Sequence, residues 1–303
     1  MGRTTGIAAA LAAAALAAPG LARAYCWPLR PFYATHPIRG GFDDPRLELK
    51  AGQAVGRFHF GVDIAAPDGT PVYAVKPGRV VVRADSVSVR RPNRREFGYW
   101  HILPVVANGS HVRLHQLLGY VQPGWGHVHF AESVAGNYRN PLRPGALQPY
   151  HDHTVPVVDA ISVVPPADHT LQTVGGPVSG VVGLAVDAYD LPTIAPPPPW
   201  NVARLSPALV RWRLLTPDGD ARPWRTAVDF RRTLPLPSLF WATYLPGIWQ
   251  NKPHRPGDYR FWLTQTLNTA ALEPGTWTVQ VAASDLAGNT GTGSLSFVVA
   301  PRS

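Results

Sequence analysis

Two short histidine-containing segments combine the residue types and spacings that a metal centre needs. Three residues separate His59 from Asp63, and one residue separates His127 from His129. In a β-strand, residues two apart point to the same face, so both imidazoles of the second pair can reach one point. A catalytic zinc site uses three protein ligands, commonly imidazole and carboxylate groups, and keeps a fourth position for water. We therefore expect His59, Asp63 and one histidine of the pair to be the ligands, with the other histidine beside the water as a base.

The spacing of the histidine pair is a weak signal on its own. The chain contains 11 histidines, so two of them two residues apart arise easily by chance. A second instance, His151-Asp152-His153, precedes the segment Thr-Val-Pro at the expected domain junction. We assign it no role and expect it at the surface.

The segments around these residues have the composition of short strands joined by turns. The chain contains 28 glycines and 33 prolines, which disfavours long helices. Residues 79–82 form a β-branched run after a Pro-Gly turn. Trp277, Val279 and Val281 alternate with polar residues, as in a half-buried strand. The sequence thus predicts an all-β chain, and its 303 residues suggest two domains.

Four segments, in the same order, resemble the lysostaphin/LytM-type zinc metallopeptidases. Residues 37–42 resemble the opening of that domain, and residues 58–74 are very close to its first metal motif and the following strand. Tyr99-Trp100-His101-Ile102 is similar to the family's Tyr-x-His-Leu, and Gly126-His127-Val128-His129-Phe130 to its Gly/Pro-His-Leu-His-Phe. The resemblance covers about residues 37–145 and implies an antiparallel-sheet domain that cleaves peptide bonds in peptidoglycan.

The resemblance also implies a role for each matching side chain. It makes His59, Asp63 and His129 the ligands of one zinc ion per chain. It makes His127 the general base on the attacking water, and His101 a hydrogen-bonding partner of the water or of the developing oxyanion.

The segments flanking the expected site leave several alternatives open. Tyr99 either supplies an extra donor or packs beneath His101. Trp100 and Trp125 either contact substrate or cover the edge of a small core. The loop before His127 is shorter than in the family and comprises only residues 121–125. This departure from the family leaves the substrate preference open.

The second half of the chain resembles a different module. A turn at residues 285–289 followed by an apolar strand at residues 294–299 is similar to the end of bacterial immunoglobulin-like domains. Several earlier strand patterns complete an expected β-sandwich. The aspartates Asp187, Asp190 and Asp285 are scattered along this half, too sparsely for an expected calcium site.

The amino terminus has the pattern of a secretory signal peptide. Arg3 precedes an apolar, alanine-rich stretch at residues 7–18, and Ala22-Arg23-Ala24 offers a cleavage site. No stretch reaches the length of a membrane span. The expected organisation is a signal peptide (1–24), an N-terminal segment (25–36), a metallopeptidase domain (37–150) and an immunoglobulin-like domain (151–303).

Charge and cysteine content limit the classes of partner that we expect. The formal net charge is +9, which suits anionic cell-wall polymers as well as nucleic acid. No basic run is interleaved with aromatic residues, so we expect no nucleic acid, and the densest cluster, residues 90–95, is expected to be a solvated loop. The single cysteine, Cys26, excludes an intramolecular disulfide. The oligomeric state is not indicated.

Three functions are compatible with these observations. The first is a secreted zinc endopeptidase acting on peptidoglycan, since all five polar positions are present. The second is a catalytically inactive member of the same fold that binds or regulates the cell wall. The third is an adhesive module in which the second half does the binding.

Overall fold

The protein is built almost entirely from antiparallel strands, as the sequence predicted. The structure is a computed structural model that describes residues 24–165 and 175–301. Within these ranges the strands are β1 (Ile38–Gly40), β2 (Pro45–Lys50), β3 (Gln53–Phe58), β4 (Val62–Ala65), β5 (Pro71–Tyr73), β6 (Gly78–Arg83), β7 (Ser86–Arg91), β8 (Arg95–Trp100), β9 (Ile102–Pro104), β10 (His111–Val112), β11 (Leu117–Val121), β12 (His127–Val134), β13 (Asn137–Arg139), β14 (Val157–Val164), β15 (Val181–Tyr189), β16 (Leu209–Leu215), β17 (Arg225–Asp229), β18 (Arg260–Asn268), β19 (Gly275–Ser284) and β20 (Thr290–Val299).

Helical structure in the described ranges is brief. It comprises one α-helix, α1 (Phe240–Thr243), and three 3-10 turns at Pro92–Arg94, Pro237–Leu239 and Thr269–Ala271. In the part of the chain that the structure describes, no helix has the length and apolar character needed to cross a bilayer.

One large sheet organises the first half of the chain. Its strand order is β1-β4-β12-β8-β7-β6-β10, with β13 paired to β12, and a smaller sheet, β5-β11-β9, lies with it. Both sheets contribute side chains to one apolar core, which includes Val72, Val80, Phe97, Leu118 and Phe130. Strand β12 is central and its first six residues are buried, so it is a rigid support for the side chains it carries.

The N-terminal segment is part of this core. Tyr25 and Trp27 are buried, and the backbone nitrogen of Tyr25 donates to the carbonyl of Ala146 at 2.9 Å. The Tyr25 hydroxyl donates to Glu132 at 2.8 Å. Residues 25–29 therefore pack as an element of the first domain, although the sequence placed them in a separate segment. Residues 1–23 of the expected signal peptide lie outside the described residues.

Two sheets in the second half face each other across a shared core. Strands β14-β15-β18 form one sheet and β17-β16-β19-β20 the other. Leu184 and Phe261 from the first sheet and Trp212 and Trp277 from the second belong to the same apolar cluster. Along β19 the residues Trp277, Val279 and Val281 are buried, so the alternation expected from the sequence is present. The arrangement is a β-sandwich, and its kinship with immunoglobulin-like domains stays a prediction.

A hairpin from the first half inserts into the second. Strands β2 and β3 pair along their full length, and Phe58 at the end of β3 packs on Phe240 with ring centroids 5.2 Å apart. Gly56 leaves no room for a side chain there, because a Cβ would lie 1.9 Å from the Phe240 ring. The two halves thus share a packed interface, while the boundary at residue 150 stays a prediction.

Three aspartates meet at the junction between the halves. Asp152, Asp190 and Asp285 are buried with carboxylate oxygens close together, and within the described residues no basic side chain pairs with them. The expectation that Asp152 is a surface residue was wrong, although its neighbours His151 and His153 are exposed. Burial, and then the charge of Asp152, raises the pKa of Asp190 from its ordinary value to about 8.

This raised pKa predicts that stability falls with rising pH. The folded state binds the Asp190 proton more tightly than the unfolded state, so the stabilisation is complete below about pH 4 and is lost as pH rises through 8. We expect the free energy of unfolding in urea to fall between pH 5 and pH 8 by up to about 1.4 kcal/mol per pH unit, and less steeply in Asp190→Asn. The exposed Asp218→Asn is the matched control. A wild-type stability that is flat over this range would contradict the prediction.

Candidate metal centre

Adjacent strands bring the two histidine-containing segments together. Strand β12 pairs with β4 so that His129 lies opposite Asp63 and His127 opposite Ala65. His59 lies in the turn between β3 and β4, where its backbone nitrogen donates to the carbonyl of Asp44 at 3.0 Å. The pairing register thus places both segments on one face of the large sheet.

Three potential ligand atoms converge on one point. His59 Nε2 lies 2.8 Å from His129 Nδ1 and 3.1 Å from Asp63 Oδ1. The distance between His129 Nδ1 and Asp63 Oδ1 is 3.0 Å. The side chains of His59 and His129 are at least nine-tenths buried, and the Asp63 side chain is 12% exposed. This is the ligand set that the sequence and the resemblance predicted, although the ligand roles themselves stay predictions.

Neighbouring groups hold the ligand rings in place. His59 Nδ1 lies 2.6 Å from the carbonyl of Gly41, so this nitrogen carries the proton and leaves the Nε2 lone pair facing the site. Gly61 packs on the other ring, because a Cβ at that position would lie 2.9 Å from His129 Nε2 and 2.3 Å from the carbonyl of Phe130. Only glycine leaves room for this close approach.

The protonation states suit a metal. Burial lowers the pKa of His59, and burial lowers the pKa of His129 to about 4, so both imidazoles are neutral. Burial opposes ionisation of Asp63, but the nearby His59 and His127 hold its pKa well below the ordinary value. Two neutral imidazoles and a carboxylate converge with lone pairs facing one another, an arrangement that a divalent cation would stabilise. The residues present therefore fit zinc, with a fourth position left for substrate or water.

His127 lies beside the three ligand atoms. Its Nε2 is 3.4 Å from Asp63 Oδ1, and its Nδ1 is 2.8 Å from the carbonyl of Trp125. The carbonyl accepts the Nδ1 proton, so the Nε2 lone pair is directed toward the site. This geometry can accept a proton from a water bound between His127 and the ligands.

His101 lies next to His127 at the edge of the site. Its ring stacks on Trp125 with centroids 3.6 Å apart and lies 4.7 Å from the ring of His127. Its backbone has a φ of 63°, a strained value for a residue with a side chain. Burial lowers the pKa of His101 to about 3. Its Nδ1 is buried without a hydrogen-bond partner among the described residues, which leaves this atom available to a reacting group.

The structure decides between the alternatives at three aromatic residues. Tyr99 is fully buried and its hydroxyl accepts from the backbone nitrogen of Val75 at 2.9 Å, so it packs in the core and does not face the site. Trp125 is exposed over His101 and is available to substrate. Trp100 packs edge-on against His129 at 5.1 Å and covers the ligand ring.

Sequence reasoning missed an arginine that contacts a ligand. Arg46 Nη2 donates to Asp63 Oδ2 at 2.8 Å, which leaves Oδ1 for the metal. Gly40 permits this ion pair, since a Cβ at that position would lie 2.6 Å from Arg46 Nη2. Arg46 lies on β2, in the inserted hairpin, and no spacing in the sequence connects it to Asp63.

Comparison with known proteins relates the part of the chain that contains this site to one peptidase family. Residues 57–141 match the model of Peptidase family M23. This part of the chain is similar to M23 peptidases, and it contains all five predicted site residues. The match suggests a metallopeptidase, and such peptidases are typically zinc-dependent. A search of curated proteins finds no match to the chain.

Several solved structures are similar to part of the chain. A zinc-containing peptidase from Vibrio cholerae is 25% identical, with a TM-score of 0.30, over 36% of this chain and 36% of that one. Csd3 of Helicobacter pylori is 23% identical, with a TM-score of 0.32, over 42% of this chain and 36% of that one. A mutant catalytic domain of the prophage-encoded M23 protein EnpA from Enterococcus faecalis is 29% identical, with a TM-score of 0.25, over 30% of this chain and 82% of that one. The chain thus spans about a third of the first two proteins.

Proposed function

We propose that the protein is a secreted zinc-dependent endopeptidase that hydrolyses peptide bonds in peptidoglycan stem peptides or cross-bridges. The observation that carries this proposal is the convergence of His59 Nε2, Asp63 Oδ1 and His129 Nδ1, with the free lone pair of His127 beside them. A binding protein has no need of a base at that position. The M23 match supports the hydrolytic class.

The residues of the site have separable tasks in this reaction. Zinc, when bound by His59, Asp63 and His129, polarises the scissile carbonyl and makes water a stronger nucleophile. His127 Nε2 accepts a proton from the attacking water as its oxygen bonds to the carbonyl carbon. The proton then passes to the leaving nitrogen as the carbon–nitrogen bond breaks. His101 lies where it can donate to the oxygen of the tetrahedral intermediate.

Release of new amino groups from purified peptidoglycan tests the proposal. The mature chain is expected to release them, a strong chelator to abolish the release, and added zinc to restore it. A folded protein that carries zinc and releases no amine above background would contradict the proposal. That result would favour the catalytically inactive alternative, a wall-binding or regulatory protein.

Secretion rests on the alanine-rich amino-terminal segment and is tested separately. We expect the protein recovered from outside the bacterial cytoplasm to begin at Tyr25, the residue after Ala24. Amino-terminal sequencing of the exported protein measures this. An exported chain that retains Met1, or a chain confined to the cytoplasm, would contradict secretion by this signal.

A further inference from the structure

A half-buried cationic side chain lies beside the metal centre. Arg39, on β1, is half-buried, and within the described residues its guanidinium forms no ion pair and donates no hydrogen bond. Its backbone oxygen accepts a hydrogen bond from Asn251 Nδ2 at 3.2 Å. Burial lowers the pKa of Arg39 to about 10, so the group stays charged near neutral pH. No Arg39 nitrogen is among the fully buried polar atoms that lack a partner, so the N–H donors of this guanidinium can reach solvent or a bound ligand.

The position of Arg39 connects it to the reacting groups. The next residue, Gly40, lies opposite Asp63 in the pairing of β1 with β4. Arg39 Nη1 lies 3.8 Å from the point that a Cβ on Gly126 would occupy, and Gly126 directly precedes His127. The guanidinium therefore borders the site at the start of β12.

The second half of the chain holds this guanidinium in place. Its central carbon lies 4.0 Å from the centroid of the Trp200 ring, a cation–π contact. Trp200 directly follows the run of four prolines at residues 196–199. Asn251, which fixes the Arg39 carbonyl, also accepts from the backbone nitrogen of Arg204 at 3.0 Å. The proline-rich loop and the Asn251 contacts thus preorganise Arg39.

Two arginines border the site, and they differ in availability. Arg46 is committed to the ligand Asp63 through an ion pair of 2.8 Å. Arg39 stacks on an aromatic face, which leaves the edge of its guanidinium free. The parallel N–H donors along that edge can form two hydrogen bonds to the two oxygens of one carboxylate.

We propose that Arg39, held on Trp200, is a carboxylate-binding subsite of this peptidase, so that favoured substrates carry a free carboxylate close to the cleaved bond. The inference rests on the proposed function and assigns part of its substrate selectivity to the second half of the chain. The carboxylate is either the terminus of a peptide or an acidic side chain.

Binding of small peptides tests the subsite without relying on activity. The probes are N-acetyl-Ala-Ala with a free terminal carboxylate and the same peptide as its terminal amide. Calorimetric titration of the chelator-treated full chain keeps a metal from contributing to carboxylate binding. We expect the wild type to bind the acid at least about 10-fold more tightly than the amide, because hydrogen bonds between charged groups are the strong ones. Arg39→Gln is expected to remove the preference, and Trp200→Leu to reduce it.

A control and two contrary outcomes make the test decisive. Arg113→Gln removes an exposed arginine that makes no contact with the site residues among the described side-chain hydrogen bonds and ion pairs, and it is expected to keep the preference. Equal binding of acid and amide by the wild type would overturn the inference, as would an acid preference that survives in Arg39→Gln. Either result leaves the amine-release test of the proposed function untouched.

A second pair of peptides distinguishes the sources of the carboxylate. N-acetyl-Ala-Glu amide carries the charge on a side chain, and N-acetyl-Ala-Gln amide is its neutral match. An Arg39-dependent preference for the glutamate peptide would show that the subsite binds acidic side chains. A preference confined to the free terminus would show that it binds chain ends.

Kinetics of the zinc-loaded enzyme give a second readout. Arg39→Gln should raise KM for the preferred substrate and leave kcat within about twofold. Equal losses on charged and neutral substrates would indicate a merely structural role.

Discussion

Replacing His127 with alanine is expected to lower kcat for peptide hydrolysis by about 10²–10⁴-fold while zinc content stays at one per chain. The imidazole lies beside the three proposed ligand atoms: its Nε2 is 3.4 Å from Asp63 Oδ1, and its Nδ1 proton is accepted by the carbonyl of Trp125. The variant therefore loses the proton acceptor and keeps the metal. Amine release and metal analysis of the same preparation measure both properties.

The matched variant is His59→Ala, which removes a ligand. It is expected to lose both zinc and activity, because two protein ligands remain where a catalytic zinc site needs three. The contrast separates the base from the ligands. A His127→Ala protein that carries zinc and retains full activity would contradict the role given to His127. Loss of zinc in that variant would instead make His127 a ligand.

The second large effect is expected at Glu132, at the far end of the strand that carries both histidines. Its carboxylate is fully buried and is contacted by Arg95 at 2.7 Å, by Arg143 at 2.8 Å and by the Tyr25 hydroxyl at 2.8 Å. Glu132→Ala leaves two partly buried guanidinium groups without their anion. Removing one partner from such a network costs about 3–5 kcal/mol, a large part of the stability of a typical domain.

Urea unfolding of the full chain measures this loss. Glu96→Ala is the control, because the Glu96 pair with Arg90 at 2.8 Å is far more exposed and should contribute about 1 kcal/mol or less. A Glu132→Ala protein as stable as the Glu96→Ala protein would show that the buried network is not stabilising. A reduced zinc affinity in Glu132→Ala would further indicate that β12 transmits the disturbance from Glu132 to His129.

Local spacing predicted that His59, Asp63 and one histidine of the pair come together, and the family resemblance singled out His129 as the third proposed ligand. His127 and His129 share a face for the same reason in any strand, and His59 and Asp63 lie within one turn and the strand that follows. The contact of Arg46 with Asp63 depends instead on how an inserted hairpin folds back over the sheet. No period in the sequence encodes that path, so Arg46 and the free Arg39 could be found only in the structure.

The same limit applies to the second half of the chain. The alternation along β19 predicted a half-buried strand, because burial on one face is a local property. Asp152, Asp190 and Asp285 come from three separate segments, and only tertiary packing brings them together. The sequence therefore suggested isolated polar residues where the structure has a buried cluster with raised pKa at Asp190.

The docking of Tyr25 has a consequence for folding rate. Its hydroxyl contacts a residue 107 positions later in the chain, and its backbone pairs with residues still further along. The first domain cannot close its core until nearly all of it has been synthesised, and such long-range pairing slows folding. Under the proposed secretion, slow folding of this kind would leave the chain unfolded while it crosses the membrane.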